Sequence, residues 1–268
     1  MTATAQNQAR VSLVMPCYNE EECLRQTAGA LLEAFARRNL PLELILVENG
    51  SRDRTGDVID ALIAEGQPVT KVVVEVNEGY GNGVLAGLRR AGAPIVGFLC
   101  ADGQVSAEDT AKTCEEVRDA GRPILAKVRR RFRKDSWRRK LVSILYNAGM
   151  QGVFGWLGSI DLNGNPKVMP LEVLRAMDLQ SRDWFLDPEI MIKAKYLGLP
   201  ILEWDVEGLL RQGGKSNVRY STCLQFGKNI LRYRLGGLLT EWKKSVRRFA
   251  YSPVARSATA VPGGGQPR

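Results

Sequence analysis

The stretch LELILVENGSRD, residues 42–53, predicts how this chain folds. Its first half is a run of mostly branched apolar residues, which is typical of a strand buried on both faces, and its second half is a polar turn. Similar apolar runs occupy residues 11–16, 71–76, 94–100, 122–128 and 199–208. Helical patterns lie between the runs. The alternation predicts an α/β fold, with a mostly parallel sheet flanked by helices.

Polar clusters follow four of these runs, where sheets of this type bind their ligands. The clusters are CYNE (17–20), ENGSRD (48–53), NEGYGNG (77–83) and ADGQ (101–104). In the second, Glu48 and Asn49 suit a nucleobase edge and ribose hydroxyls, but a helix cap by Ser51 or Asp53 explains the cluster as well. The third is either a loop that positions a sugar diphosphate or a plain turn.

The segment ADGQ carries oxygen ligands for a hard cation. Asp102 supplies a carboxylate and Gln104 an amide oxygen, and Mg²⁺ or Mn²⁺ on a diphosphate needs only one or two protein carboxylates. Cys100, two residues before Asp102, is a soft ligand that suits these ions poorly. Metal binding would therefore rest on Asp102, Gln104 and the phosphates of the ligand.

The composition limits the chemistry. The 268 residues carry a net charge of +9 and no histidine, so an anionic partner is plausible and the commonest general base is absent. Catalysis must use carboxylates, Lys, Arg, hydroxyls, cysteine or an oxygen-held metal. The five cysteines form no CxxC pair, and we interpret them as reduced thiols of a cytoplasmic protein.

Two unusual segments follow one another in the second half of the chain. Residues 127–140 are strongly basic, which indicates a solvated face, contact with anionic lipid headgroups or, least expected without a recognisable module, nucleic acid. Residues 141–160 carry no charge but contain polar side chains and four glycines, so a buried or interfacial helix is favoured over a membrane span.

The remaining organisation is predicted from composition. Asn19 and Glu22 suggest the start of the first helix, and residues 221–251 form basic amphipathic helices that could lie at a membrane interface. We expect a flexible N-terminus at residues 1–10, a main domain at 11–220 and a disordered tail at 252–268. Within RQGGKS, Arg211, Lys215 and Ser216 either close over a diphosphate or form a surface turn.

Taken in order, these motifs resemble family 2 glycosyltransferases of the GT-A fold, in particular dolichyl-phosphate mannose synthases and their polyprenyl-phosphate relatives. The resemblance covers roughly residues 11–220. It is carried by VMPCYNEEECL (14–24), LILVENGSRDRT (44–55), NEGYGNGVLAGLRRA (77–91), ADGQVSAED (101–109), DLNGNPKVMPLEVL (161–174), FLDPEIMIKAKYLGLPILEWDV (185–206) and RQGGKSN (211–217).

The resemblance implies roles for individual residues. The implied nucleotide-sugar site comprises Pro16, Tyr18, Glu20, Val47, Glu48, Asn49, Ala101, Asp102, Gln104, Arg129, Arg211, Lys215 and Ser216. In it, Arg129 matches an arginine that contacts the donor phosphates, and Cys100 stands where the family has its first metal aspartate. Glu48 and Asn49 replace two aspartates. Lys215 precedes Ser216, whereas the family often has its lysine after the serine.

The implied reaction transfers a sugar, with inversion, from GDP-mannose or a UDP-hexose to a polyprenyl phosphate. Asp102, Arg129, Arg211 and Asp187 are the implied catalytic residues, with Mg²⁺ or Mn²⁺ assisting departure of the diphosphate. A hydroxyl acceptor would need a base, for which Asp187 or Glu189, and less well Asp161, are candidates. A catalytically weak nucleotide-sugar or lipid-binding protein is the third interpretation. We expect a cytoplasmic chain, peripheral on the inner membrane face; the sequence does not indicate its oligomeric state.

Overall fold

The computed structural model describes residues 10–131, 137–209 and 221–248. Its strands are β1 (Val11–Cys17), β2 (Leu42–Asn49), β3 (Val69–Val74), β4 (Ile95–Phe98), β5 (Leu125–Arg131), β6 (Lys167–Pro170) and β7 (Ile201–Glu207). Its helices are α1 (Leu24–Arg37), α2 (Thr55–Ala64), α3 (Tyr80–Arg90), α4 (Ala107–Asp119), α5 (Trp137–Phe154), α6 (Leu171–Met177), α7 (Leu186–Leu197), α8 (Ser221–Leu235) and α9 (Leu238–Arg248).

The strands form one seven-stranded sheet in the order β3-β2-β1-β4-β6-β5-β7. All pairings are parallel except those of β6, which runs antiparallel to both β4 and β5. The predicted α/β fold with a mostly parallel sheet is therefore confirmed. Because β1, β2 and β4 are parallel neighbours, their carboxyl ends meet at one edge and bring three of the polar clusters together.

The apolar runs predicted the strands with small shifts. The run at 42–49 matches β2, whereas β3 lies two residues earlier than 71–76 and β5 begins three residues later than 122–128. The pattern missed β6, because it is only four residues long and begins with a lysine.

The predicted start of α1 is wrong. The helix begins at Leu24, and neither Asn19 nor Glu22 caps it. Asn19 instead adopts a left-handed conformation, with φ of 56°, and its side-chain oxygen accepts a hydrogen bond from the Arg52 backbone N–H at 2.8 Å. The Asn19 side chain, predicted to cap α1, therefore binds the loop after β2.

The two faces of the sheet are covered by separate apolar cores. Alternate β1 side chains, Leu13 and Met15, pack with α1, α2 and α4, while Val14 packs on the opposite face with α3, α5, α6 and α7. The second core also takes in the C-terminal helices through Tyr233 and Trp242, whose indole N–H donates to the Ala176 carbonyl at 3.0 Å. None of the helices formed by the described residues combines the length and hydropathy that crossing a bilayer requires.

Candidate functional site

The loops after β1 and β2 are bound to each other by reciprocal hydrogen bonds. The Glu20 N–H donates to the Thr55 hydroxyl at 2.9 Å, and the Glu21 N–H donates to the Asp53 carboxylate at 3.2 Å. In the reverse direction, the Arg54 N–H donates to the Glu21 carboxylate at 2.9 Å. These bonds fix the predicted nucleotide loop rigidly against its neighbour, so its backbone is preorganised.

Glu48 and Asn49 point in different directions. The Glu48 carboxylate turns back and accepts the backbone N–H groups of Gly50 at 3.3 Å and Ser51 at 2.5 Å. Asn49 is buried and donates to the Gly79 carbonyl at 3.4 Å, beneath α3. The structure therefore places the Asn49 side chain in the sheet–helix layer, and only Glu48 stays at the sheet edge.

The other residues predicted to bind the nucleotide differ in burial and in which of their atoms are available at the site. Pro16 and Val47 are register partners on β1 and β2. The Val47 side chain is fully buried against Gly87 of α3, so only its backbone is available at the site. Tyr18 is partly exposed, and Glu20 is buried with its carboxylate accepting the Cys23 thiol at 3.2 Å.

The glycines of the NEGYGNG loop allow close packing against another turn of the chain. A Cβ on Gly79 would lie 2.8 Å from the Arg182 carbonyl, and one on Gly81 would lie 2.5 Å from the Ser181 carbonyl. The Asn82 N–H at the start of α3 already donates to the Arg182 carbonyl at 2.7 Å. These glycines let the 181–183 turn approach the helix, and that turn occupies the end of the helix where a phosphate was considered.

Asp102 and Gln104 lie together at the end of β4. One Asp102 carboxylate oxygen accepts the Gln104 backbone N–H at 3.2 Å, and the Gln104 carbonyl accepts the Leu209 N–H at 3.0 Å. Ala101 is buried, and its carbonyl accepts the Cys23 thiol at 3.6 Å, which connects this turn to the nucleotide loop. The turn is thus held from both sides.

Both residues line a cavity of about 220 Å³. The walls come from α1, from residues 99–107, and from β5 and its surroundings; they are Gln26, Thr27, Ala30, Leu31, Leu99, Cys100, Asp102, Gly103, Gln104, Val105, Ser106, Ala107, Arg130, Asn165 and Leu209. The Thr27 hydroxyl oxygen is buried and has no hydrogen-bond partner among the described residues. The cavity therefore presents a cation, a carboxylate and a free hydroxyl to whatever enters it.

Arg130 faces this cavity, and Arg129 does not line it. On the strand β5 the two side chains point to opposite faces. Arg129 pairs with Asp205 on β7 at 2.5 Å. Arg130 lies at the long distances of 3.4–3.5 Å from the Asp161 carboxylate and donates to the Asn163 carbonyl at 3.2 Å. Arg129, which the resemblance assigned to the donor phosphates, therefore lies outside the cavity that contains Asp102. The arginine that lines this cavity is Arg130.

Cys100 is a neutral thiol at this site. Burial raises its pKa to about 12, with a further contribution from the Asp102 charge, although Arg130 acts in the opposite direction. The thiol contacts the Tyr80 hydroxyl, which also accepts the Asn165 side-chain N–H at 3.1 Å. Sulfur is a soft ligand that suits Mg²⁺ and Mn²⁺ poorly, so Cys100 does not replace an aspartate chemically.

The carboxylates suggested as bases are all ion-paired. Asp187 is buried with Lys167, within electrostatic range of Cys100 and Tyr80. Glu189 is buried with Lys193 at 2.7 Å and accepts the Ser181 N–H at 2.8 Å, which fixes the 180–181 turn.

Asp161 is the third suggested base, and its ion pairs make it unsuitable. Burial would raise its pKa, but Arg130 and Lys127 outweigh burial and hold the pKa at about 2. A carboxylate with so low a pKa is a weak base. The low pKa therefore argues against Asp161 as the base.

Sequence reasoning missed Arg130, Tyr80, Asn165 and Lys167. Arg211, Lys215 and Ser216 lie outside the described residues, so the closing-loop role stays a prediction. Within the described part of the chain, no group of three or more Cys, Asp or Glu side chains is arranged to hold a metal ion by itself. Any ion at Asp102 would depend on ligands that a substrate supplies.

Comparisons with known proteins agree with the fold. A family model described as Glycosyl transferase family 2 matches residues 12–168. An undecaprenyl-phosphate 4-deoxy-4-formamido-L-arabinose transferase of Proteus mirabilis is 34% identical over 143 residues, covering 52% of this chain and 42% of the transferase. The match thus spans less than half the length of that relative. A glycosyltransferase of Mycobacterium tuberculosis, of uncharacterised activity, is 28% identical over 244 residues, covering 87% and 96% of the two chains.

Solved structures share the architecture. The glucosyl-3-phosphoglycerate synthase of Mycobacterium tuberculosis, in complex with Mn²⁺, UDP-glucose and phosphoglyceric acid, superposes with a TM-score of 0.66 and 18% identity. The superposition covers 85% of this chain and 80% of the synthase. At this identity the likeness shows the GT-A fold.

Proposed function

The chain belongs to glycosyl transferase family 2, and on that premise we propose that it is an inverting glycosyltransferase that moves a sugar from a nucleotide-diphosphate sugar to a polyprenyl phosphate. One observation carries the proposal: Asp102 and Arg130 line one cavity at the turn that follows β4. The Proteus mirabilis relative, named as an undecaprenyl-phosphate transferase, supports the acceptor class.

The proposed reaction is a displacement at the anomeric carbon. An oxygen of the acceptor phosphate forms the new bond, the bond to the donor diphosphate breaks, and its electron pair leaves with the nucleoside diphosphate. Arg130 neutralises charge that develops on the diphosphate, and the predicted closing loop with Arg211 and Ser216 adds to this. The acceptor phosphate is already anionic, so no general base is needed. This agrees with a chain that lacks histidine and whose Asp187, Glu189 and Asp161 are all ion-paired.

The site accommodates a divalent cation with few protein ligands. Asp102 uses one carboxylate oxygen for the Gln104 N–H, which leaves the other available, and the Gln104 side chain lines the same cavity. Two oxygen ligands suit Mg²⁺ or Mn²⁺ when phosphates and water complete the shell. Such an ion, held by Asp102 and Gln104, would supply positive charge to the departing diphosphate.

A soluble hydroxyl acceptor is the alternative, since the M. tuberculosis synthase of the same fold is described with phosphoglyceric acid. That chemistry needs a base, and Asp187 would have to leave its ion pair with Lys167 to act as one. The buried pair therefore favours an acceptor that is already ionised. The third interpretation, a binding protein with little turnover, rests on Cys100 in place of an aspartate.

Donor binding tests the proposal directly. Thermal unfolding with a panel of GDP- and UDP-sugars, with and without Mg²⁺ or Mn²⁺, should show stabilisation by one donor class, because a ligand that binds only the folded state raises its stability. Turnover of that donor should be lost in Asp102→Ala and kept in the matched control Asp119→Ala, an exposed carboxylate on α4. If no nucleotide sugar stabilises the protein, the proposal is wrong. Binding without turnover would favour the third interpretation.

A further inference from the structure

From residue 142 to its end at Phe154, helix α5 exposes side chains that carry no charge. No charged residue occurs from 141 to 160, and the large apolar side chains of Ile144 and Leu145 are each 63% exposed. Trp156, just after the helix, is 62% exposed. A surface helix of a soluble protein normally turns charged residues outward. Large apolar side chains that are exposed together are a sign of an interaction surface.

Helix α8 lies beside α5 and adds basic charge to the apolar surface. The rings of Phe154 on α5 and Tyr233 on α8 pack edge to face with centroids 6.3 Å apart. On its outer side α8 exposes Leu231 and Leu235, at 60% and 77%, together with Arg232. No acidic residue occurs between 221 and 240. The surface is therefore apolar and basic, with no acidic side chain from either helix.

Helix α5 is also bound to the loop that supports the cavity. The Asn147 side-chain oxygen accepts the Leu162 N–H at 3.1 Å. Gln151 accepts the Leu157 N–H and donates to the Ser159 carbonyl, both at 2.8 Å. The same loop carries Asp161, the partner of Arg130. A contact that fixes the position of α5 therefore also fixes the loop that carries Asp161 at the candidate site.

We propose that this docking surface, formed by Ile144, Leu145, Trp156, Leu231 and Leu235, rests on an anionic lipid bilayer. The apolar side chains enter the headgroup boundary, and the basic side chains of α8 contact lipid phosphates. The charges favour a bilayer over a second copy of this chain, since a symmetric dimer through α8 would bring its basic residues toward each other. The inference rests on the proposed function, because a polyprenyl phosphate acceptor is anchored in a bilayer by its hydrocarbon chain.

Sedimentation of the full chain with lipid vesicles tests the docking surface. We expect binding to vesicles of phosphatidylglycerol, weaker binding to phosphatidylcholine, and loss of binding at high salt. Leu145→Glu and Trp156→Glu should each weaken binding about tenfold, which corresponds to about 1.4 kcal/mol. The matched control is Ile63→Glu on α2, because Ile63 is 40% exposed but belongs to the opposite face of the sheet. This control should bind like the unmodified protein.

Three results of the binding and association measurements would overturn the inference. They are no binding to anionic vesicles, equal loss in the control, and a dimer in solution that Leu145→Glu dissociates. Transfer to a short-chain, water-soluble prenyl phosphate separates this inference from the proposed function. If the docking surface is right, Leu145→Glu keeps that activity while losing transfer to vesicle-borne acceptor. If transfer to vesicle-borne acceptor survives in both glutamate variants, the surface does not dock the enzyme, while the proposed function stands.

Discussion

Replacing Arg130 by glutamine should weaken binding of the donor diphosphate, whereas the same change at Arg129 should not. Arg130 lines the cavity with Asp102, and Asp161, its carboxylate partner among the described residues, lies at 3.4–3.5 Å. Arg129 is engaged with Asp205. A hydrogen bond to a charged group contributes about 1.5–3 kcal/mol, so Arg130→Gln should lower GDP or UDP affinity about tenfold to a hundredfold. An exposed ion pair such as that of Arg129 contributes only about 0–1 kcal/mol.

Isothermal titration with GDP and UDP measures this difference, and thermal unfolding checks each variant. Arg130→Gln leaves the Asp161 carboxylate buried without its main partner, which costs about 3–5 kcal/mol when a buried pair is broken. The double variant R130Q/D161N removes that unpaired charge and should recover stability without recovering affinity. Equal affinity in Arg130→Gln and Arg129→Gln, or recovery of affinity in the double variant, would refute the assignment of Arg130 to the diphosphate.

Three further predictions concern stability and metal binding. The pKa of Asp161 is about 2 in the folded protein, below its usual value of 3.8. This carboxylate therefore adds about 2 kcal/mol to the free energy of unfolding above pH 4, and the contribution is lost as the pH falls toward 2. Acid unfolding should show that decrease in stability, and Asp161→Asn should make it smaller. In a denaturant titration, Gly81→Ala should lower the free energy of unfolding by about 1–3 kcal/mol, because the added Cβ would lie 2.5 Å from a backbone carbonyl of the facing turn. The control Gly29→Ala, in open space on α1, should leave the free energy of unfolding unchanged or raise it by up to about 1 kcal/mol. Cys100→Asp should tighten Mn²⁺ binding, measured by calorimetry in the presence of nucleotide; unchanged affinity would mean that this side chain does not face the ion.

Much of the sheet could be predicted from sequence because buried parallel strands leave continuous apolar runs. The strand β6 left no such signal: it is short, and Lys167 in it is buried only because Asp187 pairs with it. The sequence also does not show that Arg130, and not the predicted Arg129, is the arginine that lies beside Asp102. A strand that is covered on both faces lacks the alternation of polar and apolar residues that would show toward which face each side chain points.

Other site details depend on contacts between distant segments. Asn49 looked equivalent to Glu48, but the Gly79 carbonyl beneath α3 draws it away from the sheet edge. The role of the NEGYGNG glycines stayed open between a diphosphate loop and a plain turn, because no local pattern shows that the turn at 181–183, about a hundred residues later, packs against them. Local sequence gives the residue types at a site; the long-range partners decide which of them remain available.

The most direct test of the account is transfer of labelled sugar to undecaprenyl phosphate by the full chain, using the nucleotide sugar that best stabilises it. The account predicts a labelled lipid phosphate, with release of one nucleoside diphosphate per sugar transferred, and its loss in Asp102→Ala and Arg130→Gln but not in Arg129→Gln. Label that passes only to a soluble hydroxyl compound, or turnover that survives in both Asp102→Ala and Arg130→Gln, would contradict it.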